Sequence, residues 1–449
     1  MKKVVVTIVL ISLLFFVSSV AAEDFDWRAH EGETINVYLS EHPYVDALLE
    51  EIDEFEELTG ISVNTNINAE EQYFENITVN LSTGSPQIDV FMIGAYQSWA
   101  YSSAGWLQPL DEFMDDSDLT SASWDQDDFI DPVINSLRWN LEPGSDLGTE
   151  DAQQWALPWG FELNPLVYRK DIFDEHDLEP PTSYPEILEV GRELKELYPD
   201  KIIFHSRGLR HWNTIHAGFI SGYTDYGAED FDENMNPKMN SPEAIEFTEL
   251  FVQIMQELGP PERTWTNYGP WDITADLGSG RALMFHDATI LGYNANVDTE
   301  VAGDLAFAPS PGAPDSENMG SNIWIWSLGM SQFSENKEPA WYFLQWVTGK
   351  DYLTTSAVDY THVDPVRESI WENEDFLARL EDHTGYKETY DAMVDDSKIL
   401  FTPQPYFFGV TTTWAEGLQQ IYHEEKTAEE ALNDVVNRIT ETLEREGIL

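Results

Sequence analysis

The chain contains no cysteine, which excludes disulfides, thiolate metal sites and a cysteine nucleophile. Positive charge is scarce: 23 Lys+Arg stand against 83 Asp+Glu, for a formal net charge of −60. That balance argues against nucleic acid as a partner, because phosphates attract basic surfaces, and equally against an anionic bilayer surface. Beyond residue 22 no apolar run approaches the length needed to span a membrane. Catalytic signatures are missing as well: there is no G-x-S-x-G elbow, H-E-x-x-H helix, Walker loop or Rossmann glycine fingerprint. Residues 278–281 (GSGR) read as a turn rather than a phosphate cradle. His205, His211 and His216 fall in one stretch, yet read as a chance cluster rather than a metal site. No metal or cofactor is expected.

What is present supports packed cores. Hydrophobic residues make up 42% and aromatics 13% of 449 residues, enough to fold despite the charge and to fill about two or three domain-sized units. The acids are spread along the whole chain rather than gathered in a tail. Such like charges repel until salt screens them, and at about 1 M salt the Debye length is only ~3 Å. The composition therefore reads as a halophilic surface. At the N-terminus Lys2 and Lys3 precede an apolar run at 4–17 and small residues at 18–22. This is the pattern of a signal peptide cleaved after Ala22, giving an exported protein with no lipid-modified cysteine to anchor it.

Periodicity predicts α/β organisation. Residues 33–39 (ETINVYL) alternate like a strand. Val45, Leu48, Leu49, Ile52, Phe55 and Leu58 recur at helical spacing before Gly60, and 61–63 opens a second strand. Tyr73, Ile77 and Leu81 mark another helix, and 89–93 (DVFMI) a buried strand. That βαβαβ order predicts a mainly parallel sheet with ligand at the loops leaving its strands, here 40–44 and 94–99. A second α/β stretch follows: helix 185–197, strand 202–205, a helix opened by Ser241-Pro242 and ended at Gly259, strand 323–330, a helix near 338–347, and a capping box Thr427–Glu430 before the last helix.

Sixteen tryptophans are the most informative feature. Many sit beside Gly, Asn or Pro in expected loops, where a flat apolar face next to amides and carboxylates suits a sugar: the ring C–H face stacks and the hydroxyls find hydrogen bonds.

The order of short segments resembles the family 1 extracellular solute-binding proteins of ABC transporters, the maltose-binding-protein-like group. The matching pieces are 55–63 (FEELTGISV), 85–91 (SPQIDVF), 104–111 (AGWLQPLD), 156–159 (ALPW), 167–173 (VYRKDIF), 179–184 (EPPTSY), 240–244 (NSPEA), 280–284 (GRALM), 334–341 (SENKEPAW), 364–367 (DPVR) and 427–432 (TAEEAL). The resemblance implies a type II-like periplasmic-binding-protein fold. Residues 23–166 plus 317–363 would form an N-terminal lobe and 167–316 plus 364–449 a C-terminal lobe, with three hinge crossings near 166, 316 and 364 and the ligand in the cleft between.

By position in the family, the ligand residues would be Glu41 and His42 after the first strand, then Tyr96, Gln97 and Trp99, then Trp159, Glu162 and Asn164. In the second lobe and the returning segments they would be His211, Trp212, Asp287, Asn322, Trp324 and Arg367. Many members carry a stacking tryptophan shortly after the aspartate matching Asp287. Here Ala288-Thr289-Ile290 follows, so the platform must come from Trp212, Trp271, Tyr406 or Trp414. The implied role is a non-enzymatic, monomeric, periplasmic or extracellular carrier. It would close on a sugar, with a di- or oligosaccharide the expected ligand and a small polyol, an osmolyte or a glycerol phosphate the alternatives, and dock on an ABC permease. The alternative is a secreted glycan-active enzyme using a carboxylate pair.

Overall fold

The alternating segment forms strand β1, Thr34–Ser40, whose inward residues Ile35, Val37 and Leu39 are fully buried. Helix Pro43–Thr59 follows and stops at Gly60, whose φ of 73° is the left-handed conformation glycine adopts freely at a helix end. Strand β2, Ser62–Asn68, helix Glu70–Ser82 and strand β3, Val90–Gly94, complete the unit, with β1 parallel to both neighbours. The computed structural model describes residues 25–449; the expected signal peptide at 1–22 lies outside them.

A small ladder of β4 (Arg138–Trp139) and β5 (Gln153–Gln154) precedes β6 (Leu157–Glu162). The chain then builds a second sheet from β7 (Leu166–Arg169), β8 (Ile202–His205), β9 (Ala282–His286) and β10 (Leu305–Ala308), in the order β10-β7-β9-β8. It returns as β11 (Trp324–Met330) to the first sheet, whose order is β2-β1-β3-β11-β6. Two lobes result. Helices Lys337–Val347 and Lys350–Asp359 pack on the first, and Phe407–Tyr422 and Ala428–Arg445 pack on helix Pro242–Leu258 of the second. The chain thus passes between lobes after β6, between β10 and β11, and again between Asp359 and Phe407.

The expectation of a mainly parallel sheet needs correcting. Only β1–β2, β1–β3 and β8–β9 pair in parallel, whereas β11 runs antiparallel to both β3 and β6. A parallel neighbour requires a crossover over the sheet face; β6 and β11 are instead joined to the other lobe. The caps behave as their chemistry requires. Ser241 Oγ accepts from Ala244 N at 3.2 Å, and the Thr427–Glu430 capping box is formed.

Candidate functional site

At the end of β1, His42 caps the following helix: its Nδ1 accepts the Tyr44 N–H at 3.2 Å. Burial pushes the imidazole down to about 3, so the ring is neutral and carries its proton on Nε2 as a donor. At the end of β6, Glu162 accepts the Trp326 Nε1–H at 3.1 Å. Burial pushes its carboxyl up to about 8 against the pull of Arg207. Trp324 and Trp326 alternate onto one face of β11 with rings 5.1 Å apart. Gly94 makes room for Trp324, because a Cβ there would lie 1.9 Å from Trp324 Cη2.

The second lobe supplies charge. Arg207 follows β8 and forks onto Asp287, which follows β9, with Nε–Oδ2 at 2.9 Å and Nη2–Oδ1 at 2.5 Å; both residues are buried. Asp287 also accepts the Ala288 N–H at 2.7 Å. The path between β8 and this fork is tight. Trp265 Nε1 donates to Ser206 O, and a Cβ on Gly208 would come within 2.2 Å of the Trp265 carbonyl oxygen. Beyond it, Trp212 stacks obliquely on Trp324 across the lobes at 5.2 Å. Asn213 is buried, and among the described residues its Oδ1 has no hydrogen-bond partner.

These groups converge on an inner chamber of ≈ 50 Å³ lined from the first lobe by His42, Glu70, Glu162, Trp324 and Trp326, and from the second by Arg207, Trp212, Asn213, His216, Pro270, Trp271, Ile290 and Leu291. It adjoins an open cleft of ≈ 2140 Å³. His42, Glu70, Trp212, Asn213, Pro270 and Trp271 line both, so they form the wall between them.

Of the residues singled out from sequence, His42, Glu162, Trp212, Trp271 and Trp324 border the chamber, and Glu41, Gln97 and His211 the open cleft. Asp287 sits behind Arg207. The others lie further back. β3 runs straight into helix Ala95–Ser103 rather than into a loop, so Tyr96 and Trp99 are buried. Tyr96 lies behind Trp324 with its hydroxyl 2.9 Å from His216 Nδ1. Asn322 donates from Nδ2 to that hydroxyl at 3.0 Å and accepts at its carbonyl from Asn164 Nδ2 at 2.6 Å. Trp159 packs edge-on to Tyr44 and His362. Arg367 donates to Thr348 O at 3.0 and 2.7 Å and covers the Phe129 ring, inside the first lobe's packing. Trp414 packs between Phe219 and Tyr223. Tyr406 reaches Glu446 at the surface, 3.3 Å away.

Sequence reasoning missed Arg207, Glu70, Asn213 and Trp326. Two had signals: Arg207 lies just past the C-terminal end of a strand, where ligands of such sheets bind, and Trp326 shares a strand face with Trp324. Among the described residues no group of three or more His, Asp or Glu could hold a metal ion, and no helix is long and apolar enough to cross a membrane.

Two α/β lobes joined by three passages, with a polar and aromatic chamber between them, define a two-lobed ligand-binding protein. The sequence profile of the bacterial extracellular solute-binding proteins matches residues 40–353, and the chain belongs to that family, whose members bind solutes rather than transform them. A relative in Mycolicibacterium smegmatis, named an erythritol/L-threitol-binding protein, is 37% identical over 404 residues, covering 89% of this chain and 83% of that protein. A mannitol-binding protein of Pseudomonas aeruginosa is 24% identical over 310 residues, 68% of this chain and 66% of its own. In fold, a solute-binding protein of Agrobacterium vitis with bound D-mannitol superposes with a TM-score of 0.77 at 23% identity, over 92% of this chain and 99% of the other. Maltose-bound MalE3 of Thermotoga maritima gives 0.77 at 17% identity, over 91% and 100%.

Proposed function

We propose that this chain is the exported binding component of an ABC importer and captures a short acyclic polyol by hinge closure, delivering it unchanged to the permease as a monomer. The observation that carries this reading is the size and lining of the inner chamber. At ≈ 50 Å³ it has room for about three to five waters, the space of a four- or five-carbon polyol rather than of two sugar rings. The sequence-level preference for a di- or oligosaccharide therefore gives way here to the shorter ligand. A polyol hydroxyl is both donor and acceptor. The chamber offers His42 Nε2–H and Arg207 as donors, Asn213 Oδ1 as an unpartnered acceptor, and indole faces for the carbon chain. The relative named for erythritol and L-threitol points to the same class. Because both lobes touch a ligand there only when closed, binding shifts the open–closed equilibrium. The acid excess belongs to the proposal as an adaptation to high salt.

The test is a thermal-shift and calorimetric screen in molar NaCl against erythritol, threitol, ribitol, mannitol and maltose, since a ligand of the native state raises the midpoint by mass action. A four- or five-carbon polyol is expected to give the largest shift and to be recovered intact. Maltose outranking every polyol would overturn the ligand assignment, and turnover of any compound would overturn the carrier role.

A further inference from the structure

Trp271 is unlike the other tryptophans of the site. It is 49% exposed, and among the described residues its indole makes no hydrogen bond or ring contact. It stands in the first turn of helix Pro270–Gly278, where Gly269 N bonds the Asp272 carboxylate at 2.9 Å and fixes the helix start. Its backbone is therefore anchored while its ring is not. The indole borders three spaces at once: the inner chamber, the open cleft, and a groove of ≈ 460 Å³ on the far side, lined by Thr274, Ala275, Gly278 and Asn294 among others. Ala275 lies one helical turn on, on the same face, and its small side chain lines that groove together with Trp271.

The neighbouring helix explains why a tryptophan is needed here. Ile290 and Leu291, in helix Thr289–Ala295, line the chamber with aliphatic surface only. Helix Pro270–Gly278 packs against that helix and brings an aromatic face to the chamber wall from outside.

Building on the short-polyol reading, we propose that Trp271 is a side-chain gate that sets ligand length. With the ring toward the chamber, the wall is complete and only a short chain fits. With the ring swung into the groove over Ala275, chamber and cleft join and the ligand enters or leaves. A ligand longer than the chamber would hold the gate open and lose the indole's cover, so discrimination against disaccharides resides in this one residue rather than in the hinge.

The experiment uses the intact mature protein in molar NaCl, with erythritol and maltose as probes, calorimetry for affinity and stopped-flow fluorescence for rates. Trp271→Ala is expected to weaken erythritol at least tenfold, chiefly through faster dissociation, and to narrow the erythritol-to-maltose affinity ratio by a similar factor. Trp271→Phe should restore most of both. Ala275→Phe, which fills the groove without entering the chamber, should slow association severalfold with little change in the ratio. Circular dichroism confirms that each variant folds, which the exposure of both sites favours. Erythritol dissociation within twofold of wild type in Trp271→Ala, or an unchanged ratio, overturns the gate. Wild-type protein that binds maltose better than erythritol overturns the polyol reading instead, so the two failures are distinguishable.

Discussion

The two lobes face the same chamber with different materials. The first offers neutral groups held by regular structure: His42 at a helix cap, Glu162 at the end of β6, and two indoles on β11. The second offers an ion pair and two further indoles, with the Arg207–Asp287 fork, Trp212 and Trp271 facing one chamber. Their surfaces differ too. Among the described residues, Arg28, Arg138, Lys337 and Lys350 are the only Lys or Arg of segments 25–166 and 317–363 and Arg367 packs against them, whereas the second lobe carries most of the cations. Its ion pairs include Arg192–Glu257 at 2.7 Å and Arg438–Glu416 at 3.0 Å. The contrast separates two tasks. On the proposed reading, one lobe presents a fixed floor, and the other holds the charge that would orient a polar ligand and the ring that would cover it.

Removing Arg207 breaks this contrast most severely. Asp287 is fully buried, so Arg207→Ala leaves a carboxylate without its counter-charge, a change that costs about 3–5 kcal/mol where buried pairs are broken. Polyol binding should be lost together with that stability. The double variant Arg207→Leu/Asp287→Leu should recover much of the stability but none of the binding, because an apolar replacement of both partners removes the stranded charge. Chemical unfolding and calorimetry of the three proteins separate these effects. A single variant as stable as wild type would mean that the fork does not hold the second lobe.

Salt sharpens the comparison at the level of whole lobes. Between 0.1 and 1 M salt the Debye length falls from about 10 to about 3 Å, and self-repulsion falls with it. The thermal midpoint should climb steeply over that range in NaCl or KCl. Hydrogen exchange should show the first lobe losing protection sooner than the second on dilution, because it has fewer cations to pair with its acids. A flat midpoint would refute the adaptation; equal loss in both lobes would remove the difference between them.

How far the sequence foretold this depends on what kind of contact is involved. Strand and helix positions in the first lobe were legible because alternation and helical spacing are local, and the caps at Ser241 and Thr427 because their chemistry is local. Strand direction was not, since it depends on which lobe a strand arrives from. Within the site, residues at strand ends such as His42 and Glu162 could be placed from order along the chain. Tyr96 could not: whether a residue after β3 faces the ligand or backs onto Trp324 is decided by the entry of β11 from far along the chain. Arg367 shows the same limit. Its place in a familiar segment suggests ligand, but its guanidinium is taken up by Thr348 O and the Phe129 ring. Trp271 stood out only through the tryptophan missing after Asp287.

The smallest expected effect concerns the passage after Asp359. Asp364 accepts the hydroxyls of Thr289 and Tyr386, each at 2.6 Å, and its backbone carbonyl accepts the Phe161 N–H at 3.2 Å, so it ties the first lobe's β6 to the second lobe. Burial pushes its carboxyl up to about 7. Between its ordinary value near 4 and that raised value, the folded protein holds a proton that the unfolded chain has released. The contribution of Asp364 to stability therefore falls as pH rises through this window and is level above it. Asp364→Asn keeps the shape without the titration. Relative to wild type it should be nearly neutral at pH 4 and gain ~1–3 kcal/mol by pH 8, measured as the difference in unfolding free energy at fixed molar salt. The neighbouring Glu162, raised to about 8 by burial, predicts the same trend for Glu162→Gln extended to a higher pH. If the Asn variant instead loses stability uniformly with pH, the carboxylate is charged in the native protein. The passage between lobes would then be held by an anion rather than by a neutral hydrogen-bonded acid.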